Sequence, residues 1–347
     1  PDKVLAAMKA SLDAKETSYT GNSGMMELRE AISHHFEQRY GVHYDPKDEI
    51  LVTVGVSEGL AMALLAITEP GDEVIIPDPA YVAYPASVEL AGGTPVFVPT
   101  YPEHDFKLTV EALEKVITPK TKAIVIGYPN NPTGTVMSAE ELMPIAKFAE
   151  EHDLIVLSDE IYCELMYGDA KFTSFAKLPG MRERTVIFNG FSKAYAMTGM
   201  RLGYVCAPRE GLAPILKLHQ YAIMCANTTA QVGGITALKE CDDDVEAMRQ
   251  EYDRRRKVIY KGLCDMGLPV FEPKGAFYIF PDIRCTGMTS AEFCEKLVQE
   301  EKVAVVPGTA FGDQGEGFVR ISYAASMDTI QEALKRMARF VAQYRKD

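Results

Sequence analysis

The chain has no C-x-x-C pair, no H-E-x-x-H, no apolar run of membrane-spanning length and no excess of positive charge. Each absence removes a class of function. Its seven cysteines (Cys163, Cys206, Cys225, Cys241, Cys264, Cys285 and Cys294) are odd in number and scattered. They read as reduced core thiols, not a disulfide framework, and place the protein in the cytoplasm. The six histidines, at 34, 35, 43, 104, 152 and 219, have no cysteine partners, so no metal is expected. The best apolar stretch, Gly59 to Ile67, is about half of the ~20 residues a helix needs to cross a bilayer. No signal peptide is legible, and the first residue is Pro1 rather than Met. Lys and Arg total 36 against 49 Asp and Glu, a net charge of −13, which speaks against nucleic acid and anionic membranes as partners. What remains is ordinary globular composition, 47% hydrophobic and 24% charged over 347 residues. That length suits two domains, with enough core to fold without staples.

Short apolar runs alternate with amphipathic stretches. Strands are predicted at 50–54, 73–77, 95–98, 123–127, 154–158, 185–189 and 203–207. Most are continuously apolar, the pattern of strands buried on both faces. Between them Leu28, Ile32 and Phe36 share a helical face, and Ser138 with Glu141 forms a capping box before Leu142 and Ile145. Repeated β-then-α implies an α/β fold: a three-layer αβα domain around a mostly parallel sheet. After about residue 208 the pattern changes. A helical region is predicted over 210–265, and its charged stretch 253–257 reads as a solvated face because Glu246, Glu251 and Asp253 surround it. Short strands at 276–280 and 303–306 and helices at 289–300 and 328–345 follow, with a second capping box at Thr289 and Glu292. These elements describe a smaller α/β lobe. We assign 21–250 to the large domain and 251–347, with 1–20, to the small one.

In an open parallel sheet ligands sit beyond the carboxyl ends of the strands. Four such exits carry unusual residues. Gly55-Val56-Ser57-Glu58-Gly59 turns from a strand into a helix, whose free N–H groups and dipole suit a phosphate. The same residues would make a plain turn, and they also match G-x-S-x-G, the nucleophile elbow of an α/β-hydrolase. Tyr128 to Gly134 holds two prolines and two asparagines, a rigid frame for aiming the Asn131 amide. Asp159 ends a buried strand, where a carboxylate needs a cationic partner, or caps the next helix. Lys193 follows the next strand among small and apolar residues, where desolvation favours a neutral, nucleophilic amine. A lone lysine is also often only a surface group. Arg201 stands eight residues on. A lysine for a Schiff base, a carboxylate for a pyridinium nitrogen, and a helix start plus Arg for a phosphate together match a pyridoxal-phosphate site.

The segments NNPTG (130–134), SDEIY (158–162), SKAYAMTGMRLGY (192–204), PKGAFYIFP (273–281), VPGTAFG (306–312) and GFVRISYA (317–324) carry a family resemblance. Across essentially its whole length the chain resembles the class I/II aminotransferases of fold type I, in the aspartate-aminotransferase-like branch. The resemblance implies that Lys193 attaches pyridoxal 5′-phosphate (PLP) and moves the proton, and that Asp159 keeps the ring nitrogen protonated. It gives Tyr162 and Asn131 the ring oxygen, with Asn131 also on the substrate side. It gives Tyr81 the stacking face, and Arg320 the substrate α-carboxylate. Val56, Ser57, Glu58, Ser192 and Arg201 take the phosphate, joined by Tyr19 from the partner subunit of a homodimer. Gly190 stands where many relatives carry a phosphate-binding serine, and the resemblance places a further N-terminal segment before Pro1. The stretch from His219 to Gly234 has no Arg or Lys, so aspartate specificity is not implied. The implied activity is transfer of an amino group from an L-amino acid to a 2-oxo acid, 2-oxoglutarate by analogy, in ping-pong fashion. A PLP-dependent C–S β-lyase is the nearest alternative. Two remoter ones are a Ser57-dependent hydrolase, which lacks the late histidine that fold expects, and a metabolite-sensing domain of a transcription factor, for which no helix-turn-helix is visible.

Overall fold

The predicted apolar runs become the strands of one seven-stranded sheet in the computed structural model, which describes residues 1–346. The large layer is built, in chain order, from α1 (Asp2–Asp13), α2 (Met26–Tyr40), β1 (Ile50–Thr53), α3 (Gly55–Ile67), β2 (Glu73–Asp78), α4 (Ala83–Leu90) and β3 (Thr94–Pro99). It continues through α5 (Val110–Leu113), β4 (Thr121–Ile126), α6 (Ala139–Glu151), β5 (Ile155–Asp159), β6 (Thr185–Gly190), β7 (Gly203–Cys206), α7 (Arg209–Ala222) and α8 (Thr228–Glu240). The long α9 (Asp242–Asp265) leads to β8 (Tyr278–Ile279), α10 (Ser290–Glu301), β9 (Val306–Pro307), β10 (Val319–Ser322) and α11 (Met327–Tyr344).

The sheet order is β1-β7-β6-β5-β4-β2-β3. Of the seven, β7 alone runs against its neighbours, pairing antiparallel with both β1 and β6. Because β-strand side chains alternate, the continuous apolar runs feed two cores. Leu51, Val125, Leu157, Phe188 and Val205 point to the face covered by Leu60 and Leu64 of α3, Val88 of α4 and Ile215 of α7. Ile50, Val52, Ile187 and Tyr204 meet Leu28, Ile32 and Phe36 of α2 on the other face, and Ile124 and Val156 meet Ile145 and Phe148 of α6. Both capping boxes form as their spacing implies, at α6 and α10.

The lobe has its own three-stranded antiparallel sheet, β8-β10-β9. Ile279, Val319, Phe293, Met337 and Phe340 share its core with Ile161 and Tyr162 from the exit of β5, so the lobe is seated on the end of the large sheet. The strand β10 was absent from the expected elements. Its four residues alternate inward Val319 and Ile321 with Arg320 and Ser322, too short a pattern to stand out in sequence.

Four expectations are corrected. The helical region 210–265 is three helices. The first break lies at 223–227, where Met224 takes a φ of +74° and Asn227 caps α8 by accepting from the Ala230 N–H at 2.9 Å. The stretch 253–257 is not wholly a solvated face: Arg256 is 3% exposed, donates to Asp253, Glu272 and the Pro273 carbonyl, and lies over the Tyr167 ring. Residues 1–20 do not pack with the small lobe, because Val4 and Met8 of α1 lie against Gly233 of α8 in the core of the large layer. The boundary expected at 250 falls inside α9, which contributes Val245 to the large core and Ile259 and Leu263 to the lobe.

Gly190 and Gly203 face each other across β6 and β7. A Cβ at Gly190 would stand 2.8 Å from the Gly203 Cα, and one at Gly203 would stand 2.7 Å from the Val56 nitrogen. The backbones of β6, β7 and the start of α3 nearly touch here. Gly190→Ser meets backbone rather than a side chain that can swing away, so overpacking should cost about 1–3 kcal/mol. A urea titration should read this as a lower midpoint at unchanged slope.

Candidate functional site

The sheet order decides which exits become neighbours. Along the carboxyl edge the chain presents residues 55–57 after β1, Arg201 before β7, Ser192 and Lys193 after β6, Asp159 at the end of β5, Asn131 after β4 and Tyr81 after β2. Apart from Gly55, they line one cavity of about 240 Å³ with Tyr84, Tyr162, Tyr278 and Arg320.

At one end lies the start of α3. Gly55 has a φ of +76°, a left-handed conformation that glycine adopts without strain. A Cβ there would meet the Arg201 guanidinium at 2.7 Å, so the arginine is laid directly over the helix start. Arg201 itself has a φ of +51° and donates to the Thr198 carbonyl at 3.1 Å. Ser57 and Arg201 are exposed. A helix N-terminus with a guanidinium beside it makes an anion cradle. The Glu58 side chain turns away from the cavity, accepting from the Val54 N–H and bonding His219.

Lys193 is half-buried at the middle of the cavity, its Nζ 5.7 Å from the Tyr162 ring centre and 5.6 Å from that of Phe277. Burial lowers its pKa. The Arg201 and Arg320 charges add to this and Asp159 opposes it. Asp159 is buried, and desolvation pushes its carboxyl up despite two donors, the Tyr84 hydroxyl at 2.8 Å and the Ile161 N–H at 3.3 Å. A cation set against this carboxylate would relieve the burial penalty. Tyr84, absent from the expected site, reaches Asp159 from α4 across Gly127, where any Cβ would stand 2.7 Å from its hydroxyl oxygen. Tyr81 meets Tyr84 edge-on.

The two asparagines of the 128–134 loop divide the work. Asn130 Oδ1 accepts from the Thr133 N–H and hydroxyl and holds the loop together. Asn131, one residue on, accepts from Arg320 Nη1 at 3.0 Å. The Arg320 guanidinium lies between the rings of Tyr278 and Phe311, 4.5 and 4.7 Å from their centres, and its buried Nε has no acceptor. Tyr162 and Tyr278 bond through their hydroxyls at 3.1 Å. Tyr278 was also missed in sequence, although it lies within the segment 273–281. Tyr19, by contrast, is 81% exposed and lines no part of this cavity.

The elbow reading of Ser57 finds no catalytic partner. His219, the last histidine, is fully buried and bonds Glu58 and the Asn22 carbonyl rather than Ser57. Among the described residues no cluster of His, Cys, Asp or Glu could hold a metal ion, and no helix is long and apolar enough to cross a membrane.

Residues 1–337 match the family model described as aminotransferase class I and II. The chain is 53% identical to a putative aminotransferase, YugH, of Bacillus subtilis (strain 168), an alignment covering 98% of this chain and 89% of the relative. It is 49% identical to an aspartate aminotransferase of Pyrococcus abyssi, covering 99% and 89%. The crystal structure of an aromatic aminotransferase from Pyrococcus horikoshii OT3 superposes with a TM-score of 0.97 at 48% identity, covering 99% of this chain and 92% of that one. The chain belongs to the class I and II aminotransferases and is a PLP-dependent enzyme of fold type I that transfers amino groups between amino acids and keto acids.

Proposed function

We propose that the cavity at the sheet edge is the transamination site, with PLP lying from α3 to β5. The observation that carries this reading is the convergence of one half-buried amine, one buried carboxylate and one helix start on a single cavity. In this reading the N–H groups of Val56, Ser57 and Glu58, the Ser57 and Ser192 hydroxyls and Arg201 hold the phosphate. Asp159, aligned by Tyr84, faces the ring nitrogen. Asn131 and Tyr162 take the ring oxygen, and Tyr81 covers a ring face. The geometry fits the cofactor, because a protonated pyridine nitrogen supplies the cation that buried Asp159 lacks and a phosphate supplies the anion opposite Arg201.

PLP, when bound, supplies an electron sink for charge developing at the substrate Cα. Arg320 binds the substrate α-carboxylate through the N–H groups that Asn131 does not use. The Lys193 amine would hold the cofactor when no substrate is bound, and once free would take the proton from the substrate Cα and carry it to the cofactor side of the substrate nitrogen. A ping-pong cycle with 2-oxoglutarate as acceptor completes the reading, in a cytoplasmic homodimer. The exposed Ser57 and Arg201 leave the phosphate end open on the side where the partner's Tyr19 would close it.

The test is a panel of amino donors followed by the shift of the cofactor's absorption band, with keto acid required for turnover. Release of pyruvate and ammonia from cysteine conjugates without a keto acid would favour the C–S β-lyase instead. Arg320→Lys keeps the charge but loses the planar fork, so kcat/KM should fall about 10- to 100-fold, the worth of a charge-assisted hydrogen bond. Most of that fall should appear as a higher KM for both substrates.

A further inference from the structure

Behind the anion cradle lies a buried pair that the proposed chemistry does not use. Glu58 sits in the first turn of α3, its side chain 8% exposed. One carboxylate oxygen accepts from the Val54 N–H at 2.7 Å, and the other lies 2.7 Å from Nδ1 of His219, whose side chain is fully buried. His219 Nε2 lies 3.0 Å from the Asn22 carbonyl oxygen. A carbonyl can only accept, so Nε2 carries a proton. The contact between Nδ1 and Glu58 needs another, whichever of the two atoms holds it. The pair therefore carries one proton more than a carboxylate and a neutral imidazole would, and its net charge is zero.

This neutrality matters because of where the pair stands. An unpaired carboxylate in the first turn of α3 would compete for the positive end of that helix with the anion the cradle is built to hold. The pair also has a mechanical side. Asn22 donates from its Nδ2 to the Met224 carbonyl at 3.0 Å, just beyond the end of α7. The bond from His219 to Asn22 thus ties the start of α3 to the segment that carries Tyr19.

We propose that His219 is a positioning residue for the cofactor phosphate: by neutralising Glu58 it keeps the start of α3 electropositive, and by bonding Asn22 it sets that turn against the 18–24 segment. The proposal rests on the reading that the phosphate lies at residues 55–57. It makes phosphate affinity depend on a side chain that does not touch the phosphate.

The experiment compares binding of PLP and of pyridoxal, which lacks the phosphate, to the apo forms of the full chain by absorbance titration. His219→Gln keeps an amide donor but removes the compensating proton. Its PLP Kd should rise about tenfold or more, the scale of one uncompensated charge close to the anion. Its pyridoxal Kd should stay within about twofold, since no phosphate senses the change. The double variant Glu58→Gln/His219→Gln removes both charges and should return the PLP Kd to within about threefold of the parent. An unchanged PLP Kd in His219→Gln, an equal loss for PLP and pyridoxal, or a double variant no better than the single one overturns the proposal. If His219→Gln does not fold and the double variant does, the uncompensated Glu58 charge is the cause and the proposal stands. If neither folds, the pair is purely structural and the proposal fails. Arg201→Gln separates this from the reading beneath it. Should Arg201→Gln leave the ratio of the two affinities unchanged, the phosphate is not at this cradle; should it change the ratio while His219→Gln does not, only the pair is wrong.

Discussion

Replacing Lys193 with alanine should leave a folded protein with no measurable transamination. The side chain is half-buried at the centre of the cavity, flanked by Tyr162 and Phe277, and no other lysine lines it. Burial and the neighbouring Arg201 and Arg320 favour its neutral form, which is the form able to attack an aldehyde and to accept a proton. A positioned amine contributes typically ~10²–10⁴-fold through proton transfer, and in the proposed mechanism covalent attachment of the cofactor is lost as well. Turnover should therefore fall by at least about a thousandfold. Borohydride reduction followed by peptide mapping should place the cofactor on Lys193 in the parent and nowhere in the variant. Normal rates in Lys193→Ala, or a reduced adduct on another side chain, would remove the basis of the proposed mechanism.

Asp159→Asn should separate catalysis from stability. The amide has the size of the carboxylate and its one oxygen can still accept from Tyr84, giving up only the longer 3.3 Å bond from the Ile161 N–H, so the fold loses little. Replacing a buried charge by a neutral isostere is often neutral or stabilising, and burial already disfavours the Asp159 carboxylate in the free chain. The loss falls on the reaction. Without a negative charge against the ring nitrogen, charge developing at the substrate Cα has no preorganised counterpart, an effect of about 10²–10³ in rate. Thermal melting of the apo form should be unchanged or slightly higher while kcat drops by that factor. An apo form that melts much lower would mean that Asp159 holds the β5 exit together instead. Tyr84→Phe, which removes the donor and leaves the charge, should show a smaller fall in kcat.

The site was legible to the extent that its residues sit at strand exits. Continuous apolar runs mark buried strands because both faces of this sheet are covered, and the residue after such a run must lie at the edge. Lys193, Asp159 and Asn131 were found in that way, as was the turn at Gly55. Tyr84 and Tyr278 were not. Tyr84 lies at the start of a helix and acts through a hydroxyl that crosses Gly127, and Tyr278 acts through a bond to Tyr162 from the other lobe. Neither has a local pattern, because each depends on a contact between segments distant in sequence. Arg256 was misread for a related reason. Its neighbours Arg254, Arg255 and Lys257 pair with Glu251 and Asp253 at the surface as a charged run should, and only the packing of α9 on the lobe turns the fourth cation inward.

Residue types and spacing alone were enough for the layered α/β architecture, both capping boxes and the strands of the large sheet, and they singled out the amine that the proposed mechanism uses, since these follow from hydrophobic period and from chemistry carried by single side chains. The direction of β7 was beyond them. A buried strand reads the same whichever way it runs, yet its antiparallel insertion between β1 and β6 is what lays Arg201 over Gly55 and makes an anion cradle of a turn. The seating of Arg320 between Tyr278 and Phe311, the tie from His219 to Glu58 and the docking of α1 on α8 likewise belong to the tertiary structure, because each joins segments whose proximity is set by how the layers pack and not by any local preference.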